Sequence, residues 1–157
     1  MGIVIGGRGR QLAEEVGWQP ERAMDVSVIV HEMISVGFDV SPAALRFLTA
    51  FSGLRIVHSP SIMLNDRRVW SWTEFDPKQV RTERGSIIAC RCAEIVDESS
   101  LCPVGINSFH FTIYISPAMR FFAGMDSSVY GYGDSVDEFF ARLVDEEKPV
   151  FLGSWAL

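Results

Sequence analysis

One stretch leaves the chain little conformational choice: Ser41-Pro42-Ala43-Ala44-Leu45-Arg46-Phe47-Leu48-Thr49-Ala50-Phe51, closed by Ser52-Gly53. Ser41 offers an N-cap oxygen, and Pro42 fills the first helical position, where its missing N–H costs nothing. Leu45, Leu48 and Phe51, with Ala44 and Phe47 beside them, recur at the 3.6-residue period of a one-sided helix. Gly53 then stops the helix in the left-handed conformation that glycine reaches cheaply. Directly afterwards Leu54, Ile56 and His58 alternate with Arg55, Val57 and Ser59, which predicts a strand. A helix that passes into sheet within two residues is the nucleus of an α+β domain.

The rest of the chain repeats that grammar. A short helix is expected over Gln11–Val16, closed by Gly17, with Trp18 pinning the following turn to the core. A second helix spans about Asp25–Val36, capped by Asp25 or Ser27 and stopped by Gly37. Pro60–Arg68 reads as a loop around Asn65-Asp66, before an alternating strand from Val69 to Phe75. That strand sets Trp70 and Trp72 on one face and Val69, Ser71 and Thr73 on the other. Two tryptophans on one face point to core beneath a helix; the alternative is a partly exposed aromatic patch of the kind that anchors protein interfaces. A third helix follows over about Arg84–Asp97 with the stripe Ile87, Ile88, Cys92 and Ile95, and Gly85 weakens its first turn.

Beyond it, Pro103 limits Leu101–Gly105 to an edge strand or a turn. Phe109, Phe111, Ile113 and Ile115 alternate with His110, Thr112, Tyr114 and Ser116 as a long strand, the latter set facing solvent. Pro117-Ala118 turns the chain back into Met119–Gly124, and Val129–Tyr132 adds an extended piece. Ser135 and Glu138 form a capping box for a last helix with Val136, Phe139, Phe140 and Leu143 inward. Val150-Phe151-Leu152 ends the chain as a terminal strand or a tail. The expected organisation is a single α+β domain at 11–148, mainly antiparallel sheet with helices packed on it, between a flexible tail at 1–10 and a C-terminal piece at 149–157.

Function classes narrow by exclusion. At 157 residues the chain fits one domain that buries about two thirds of its unfolded surface. No apolar run reaches the ~20 residues of a membrane span, and the N-terminus lacks a secretory pattern, so a cytoplasmic location is expected. Cys90, Cys92 and Cys102 cannot all pair and show no Cys-x-x-Cys; with His31, His58 and His110 scattered singly, neither a disulfide framework nor a metal site is expected, and buried inert thiols are. Gly6-Gly7-Arg8-Gly9 does not complete a dinucleotide-binding glycine pattern, and no nucleophile elbow, phosphate loop or deaminase signature is found. An enzyme and a cofactor are therefore not expected.

Charge is unevenly spread. Residues 1–92 carry 11 Lys and Arg against 10 Asp and Glu, whereas residues 93–157 carry 3 against 10. The acidic second half disfavours direct nucleic-acid binding and favours a basic partner, or serves only as a solvated face.

Phe47-Leu48, Phe51-Ser52-Gly53-Leu54-Arg55-Ile56 and Phe75-Asp76-Pro77 together resemble the third family of the SUKH superfamily of bacterial immunity proteins. The resemblance takes in Gly17-Trp18-Gln19-Pro20-Glu21-Arg22, Leu101-Cys102-Pro103-Val104-Gly105 and Gly131-Tyr132-Gly133-Asp134-Ser135, in the family's order over roughly 11 to 146. Ser116-Pro117-Ala118-Met119 departs from it, standing where the family usually has a glycine turn. The resemblance implies a protein of polymorphic toxin systems that binds a cognate toxin domain, often a nuclease or deaminase, and blocks it without turnover. A regulatory interaction scaffold of the same superfamily is the alternative. The family does not fix the contact residues. From composition, the candidate anchors are Trp70, Trp72 and Tyr132, and the candidate steering charges for a basic, nucleic-acid-acting toxin are Asp126, Asp134 and Glu138.

Overall fold

The computed structural model describes residues 3–76 and 78–156, with the side chains of residues 59–64 and 68–70 outside that description. Five α-helices are described: α1 (Gly7–Glu15), α2 (Ser27–Ser35), α3 (Pro42–Phe51), α4 (Glu83–Val96) and α5 (Val136–Val144). Seven strands, β1 (Arg55–Leu64), β2 (Arg67–Glu74), β3 (Cys102–Asn107), β4 (Thr112–Ile115), β5 (Phe121–Met125), β6 (Ser128–Gly133) and β7 (Val150–Ser154), join in chain order into one antiparallel sheet. The α+β architecture and the mainly antiparallel sheet expected from the sequence are both present.

α3 forms as its residues dictate. The Ser41 hydroxyl accepts from the Ala44 N–H at 3.2 Å, Pro42 opens the helix, and Gly53 follows it at φ +83°. Its inward residues are Ala43, Ala44, Phe47, Leu48 and Phe51, while Leu45 turns out to solvent. Phe47 centres an aromatic cluster, with ring centroids 4.6 Å from Phe51, 5.2 Å from Phe75 and 5.3 Å from Phe121. Trp18 stacks on Phe51 at 5.7 Å and so ties its turn to the core as expected. Phe139 and Phe140 of α5 close the cluster from the far side.

α3 and α5 therefore cover one face of the sheet, and strand alternation gives α4 the other. Phe121 points to Phe47, so Phe122 and Gly124 alternate through the sheet, where a Cβ on Gly124 would touch Tyr114 and Cys92 of α4. Tyr114 is buried there, contrary to the expectation that it faces solvent. A strand with helices on both faces has no wet side, so alternation of polarity carries no information about it.

Several boundaries move for local reasons. The expected loop at Pro60–Arg68 is instead a hairpin: β1 runs on to Leu64, and Asn65-Asp66 turns at φ 48° and 60°. Both residues at positive φ make the tight turn whose twist suits antiparallel strands, and the missing Pro60 N–H is tolerated because β1 is an edge strand with a register break between His58 and Ile62. The long strand expected from Phe109 starts only at Thr112, because the Asn107 carboxamide oxygen accepts from the N–H groups of Phe109 and Phe111, both at 3.0 Å, and curls the chain with His110 at φ 65°. Leu101–Gly105 enters β3 inside the sheet order, yet Pro103 escapes conflict, since β3 meets β2 only at Ile106 and Asn107.

At the N-terminus α1 begins at Gly7 rather than Gln11; Ile5 is buried and Gly9 packs on Phe140, so residues expected in a tail belong to the core. Cys92 and Cys102 are buried, and burial pushes both thiols up to about 12; Cys90, also expected to be buried, is exposed.

Gly85 does not weaken α4 idly. A Cβ there would lie far inside contact distance of the Val80 carbonyl oxygen, against backbone. Gly85→Ala is expected to destabilise by about 2–3 kcal/mol although alanine is the better helix former. Denaturant unfolding checks this, and a gain in stability would show that the 3-10 turn at Lys78–Val80 yields freely.

Candidate partner-binding site

The second half of the chain builds a two-part surface around α5. Ser135 caps the helix by accepting from the Glu138 N–H at 3.1 Å, and the Glu138 carboxylate accepts from the Asp134 N–H at 3.0 Å. Glu138 thus reaches one residue beyond the N-cap rather than the N-cap itself. With the apolar residues Val136, Phe139, Phe140 and Leu143 buried, the polar side of α5 and its flanks present Asp134, Asp137, Asp145, Glu146 and Glu147 to solvent. Of the ten acidic residues between 93 and 157, none is buried.

Local cations offset part of this charge. Arg120 lies 3.2 Å from Asp134 and 3.1 Å from Glu98; Arg142 lies 3.5 Å from both Glu138 and Glu147; Arg8 lies 3.7 Å from Asp145. Asp137, Glu146 and Asp126 make no ion pair among the described residues. The three cations leave the face with a net negative charge, and the pairs whose two side chains are both in solvent, Arg8–Asp145 and Arg120–Asp134, contribute little to stability.

Beside the C-terminal end of α5 a cavity of about 510 Å³ opens between the helix and the sheet. Phe109, Phe111, Tyr130 and Tyr132 form its aromatic walls. Tyr130 meets Phe111 edge-on at 5.2 Å, and Tyr132 meets Phe139 edge-on at 5.3 Å. At its base, His58 sits between two hydroxyls, Nδ1 3.0 Å from Ser71 Oγ and Nε2 2.9 Å from Thr73 Oγ1. Burial holds that imidazole down at about 4, so it is neutral at physiological pH. Burial pushes the Tyr132 hydroxyl up to about 12 and keeps it protonated. The cavity is thus mostly apolar and uncharged at its base, with charge only at its rim, where Arg142, Glu146, Glu147 and Lys148 stand.

The sequence-derived candidates are not brought into one patch. Trp72 lies on the sheet face opposite Ser71 and Thr73, half-buried, with the Arg55 guanidinium 4.1 Å from its ring centroid. The inward face of β2 is the one bearing Ser71, Thr73 and Phe75, which corrects the expectation that the tryptophan face is core. His58 is the reason: a buried histidine needs hydroxyl partners, and Ser71 and Thr73 supply them on its own side. Trp70 belongs to β2, but its side chain lies outside the described residues.

Tyr132 is 5% exposed and is reached only through the cavity, whereas Asp134 beside it is exposed. Asp126 is exposed at the β5–β6 turn, the length of β6 away from Asp134, roughly 20 Å at strand rise. Sequence reasoning missed the His58–Ser71–Thr73 cluster and the Phe111–Tyr130 wall. The former was signalled only by polar residues at inward parity in both strands of the hairpin.

No curated protein and no solved structure matches the chain. The family model described as SUKH-3 immunity protein matches residues 10–146, from within α1 through α5 and including β1 through β6, and so takes in nearly all of the core and most of this surface. A match over that much of the chain, on an α+β domain with the expected sheet and capped helices, places it: the protein belongs to the SUKH-3 immunity protein family.

Proposed function

We propose that the protein neutralises a cognate bacterial toxin domain by binding it, without turnover, and that the toxin is a basic, nucleic-acid-acting domain such as a nuclease or deaminase. The observation that carries the proposal is that all the acidic residues of the second half stay at the surface, gathered chiefly around α5. A toxin that grips phosphate is itself positively charged, so this face attracts it over a Debye length of about 8–10 Å and raises the encounter rate. The cavity beside α5 receives an apolar side chain of the toxin against Phe111, Tyr130 and Tyr132, and Trp72 adds aromatic contact from the other sheet face only if the toxin wraps the β1 edge. Asp134 steers directly, and Glu138 acts mainly by holding the first turn of α5.

Co-expression with the product of the adjoining reading frame tests the proposal, with growth rescue and a co-purifying complex as the expected result. For the steering step, Asp134→Asn, Asp137→Asn, Glu146→Gln and Glu147→Gln combined are expected to lower the association rate about tenfold at low salt and flatten its salt dependence, with little change in the dissociation rate. Stopped-flow association across ionic strength reads this out. An unchanged association rate would remove the steering role, and a complex that fails to form at all would remove the proposal.

A further inference from the structure

Apart from the acidic face, the most unusual surface is the free edge at β7. Val150, Phe151 and Leu152 are 54%, 59% and 48% exposed, and β7 pairs only with β6. Edge strands are normally shielded by charge, proline or irregularity. Here one extra residue at Leu152 bends the register with β6, and Pro149 precedes the strand, but from Pro149 to Ala156 no residue is charged.

We infer that β7 pairs with β7 of a second copy of this chain, antiparallel about a two-fold axis at Phe151, to form a continuous sheet through two molecules. One register makes every exposed apolar residue of the strand useful: Phe151 faces Phe151 of the copy, Val150 faces Leu152, and Leu152 faces Val150. Tyr130 already pairs with Phe151 at 5.6 Å and meets Phe111 at 5.2 Å, so the copy extends an aromatic row of three into a row of six across the axis. On the α4 face, Val150 and Leu152 cover one another.

Charge agrees with this register at both ends. Lys148, two residues before β7, comes toward Ser154 of the copy, whose β6 neighbour is Ser128, and the Trp155 backbone N–H donates to the Ser127 carbonyl at 3.0 Å; Asp126 stands next in that turn. Lys148 and Asp126 each make no ion pair among the described residues, and the two-fold brings the lysine of one copy toward the aspartate of the other. The acidic clusters at Asp145–Glu147 precede β7 and lie on opposite sides of the axis. A five-residue edge buries less than the roughly 800 Å² per partner of a tight complex, so the association is a weak, reversible one. It leaves the acidic face of α5 open and shares Phe111, Tyr130 and Lys148 with the cavity beside α5.

Sedimentation velocity of the purified full chain, from low- to high-micromolar concentration, tests the inference. The expected result is a reversible monomer–dimer equilibrium that Phe151→Glu shifts at least tenfold toward monomer, with an unchanged circular dichroism spectrum. Lys148→Glu weakens it and adding Asp126→Lys restores it. In a Cys90→Ser background, Phe151→Cys forms a symmetric disulfide dimer under mild oxidant, because directly opposed Cα atoms in an antiparallel pair lie about 4.5–5.5 Å apart, within disulfide range. A chain that remains monomeric throughout, a dimer indifferent to Phe151→Glu, or a Phe151→Cys variant that does not cross-link overturns the inference.

Discussion

Phe47→Ala is expected to cost about 4 kcal/mol of folding free energy, lowering the melting temperature by on the order of 10 °C for a chain of this size. Phe47 has no solvent exposure and stands between Phe51, Phe75 and Phe121, so truncation removes its own transfer free energy and leaves a void bordered by three rings. Those rings cannot collapse into the space, because each is held elsewhere: Phe51 on Trp18 and Phe140, Phe75 on Phe139 and Phe140, and Phe121 stacked on Phe139 at 4.4 Å. Leu45→Ala on the same helix, at a residue 44% exposed, is expected to cost under 1 kcal/mol. Urea unfolding of the pair decides the matter. Equal losses would mean that the helix contributes by propensity rather than by the aromatic cluster.

The second large effect is a pH dependence centred on His58. Its folded-state value is held at about 4, against an ordinary value of 6.5, because burial penalises the imidazolium. Between pH 6.5 and 4 the unfolded chain binds a proton that the folded chain refuses. The stabilisation is therefore fully present above pH 6.5 and is lost progressively as the pH falls toward 4, to a total of about 3 kcal/mol. His58→Gln, which keeps hydrogen-bonding capacity for Ser71 and Thr73 but cannot titrate, is expected to be less stable than wild type at pH 7.5 and to lose less of its stability by pH 4.5. Denaturant titrations at the two pH values measure the difference, which cancels carboxylates common to both proteins. Parallel slopes for wild type and His58→Gln would show that water reaches the imidazole in the folded state.

Such a histidine is a structural device with a consequence for the binding face. It uses both ring nitrogens to tie β1 to β2 beneath the cavity, so the apolar walls stand on an uncharged polar base. A charged base would draw water into the cavity and weaken its hold on an apolar side chain. Acidification is thus expected to loosen the fold and the cavity together.

What the sequence determined by itself is local. Ser41-Pro42, Ser135 with Glu138, and Gly53 act through atoms within a few residues, and the helices they start or stop stand where those residues require. The inward sets Ala44, Phe47, Leu48 and Phe51, and Val136, Phe139, Phe140 and Leu143, were legible for the same reason, whereas Leu45, read as part of the same stripe, is exposed, because the helical period gives the direction of a face and not its width. The acidic face was legible too, since charge avoids burial wherever the chain runs.

Only tertiary structure decided the rest. Whether Trp72 or Ser71 and Thr73 face inward depends on His58, a strand away, and composition favoured the tryptophans. Tyr114 is buried because α4 returns over that face of the sheet, which no window around β4 contains. Gly85 is required by the Val80 carbonyl, which approaches it through the turn before α4. The cavity is made by residues from six separate stretches between His58 and Pro149, and β7 is an edge only because the sheet ends there. Alternation and capping are short-range signals, whereas which face is covered, and by what, is settled when distant elements compete for the same apolar surface.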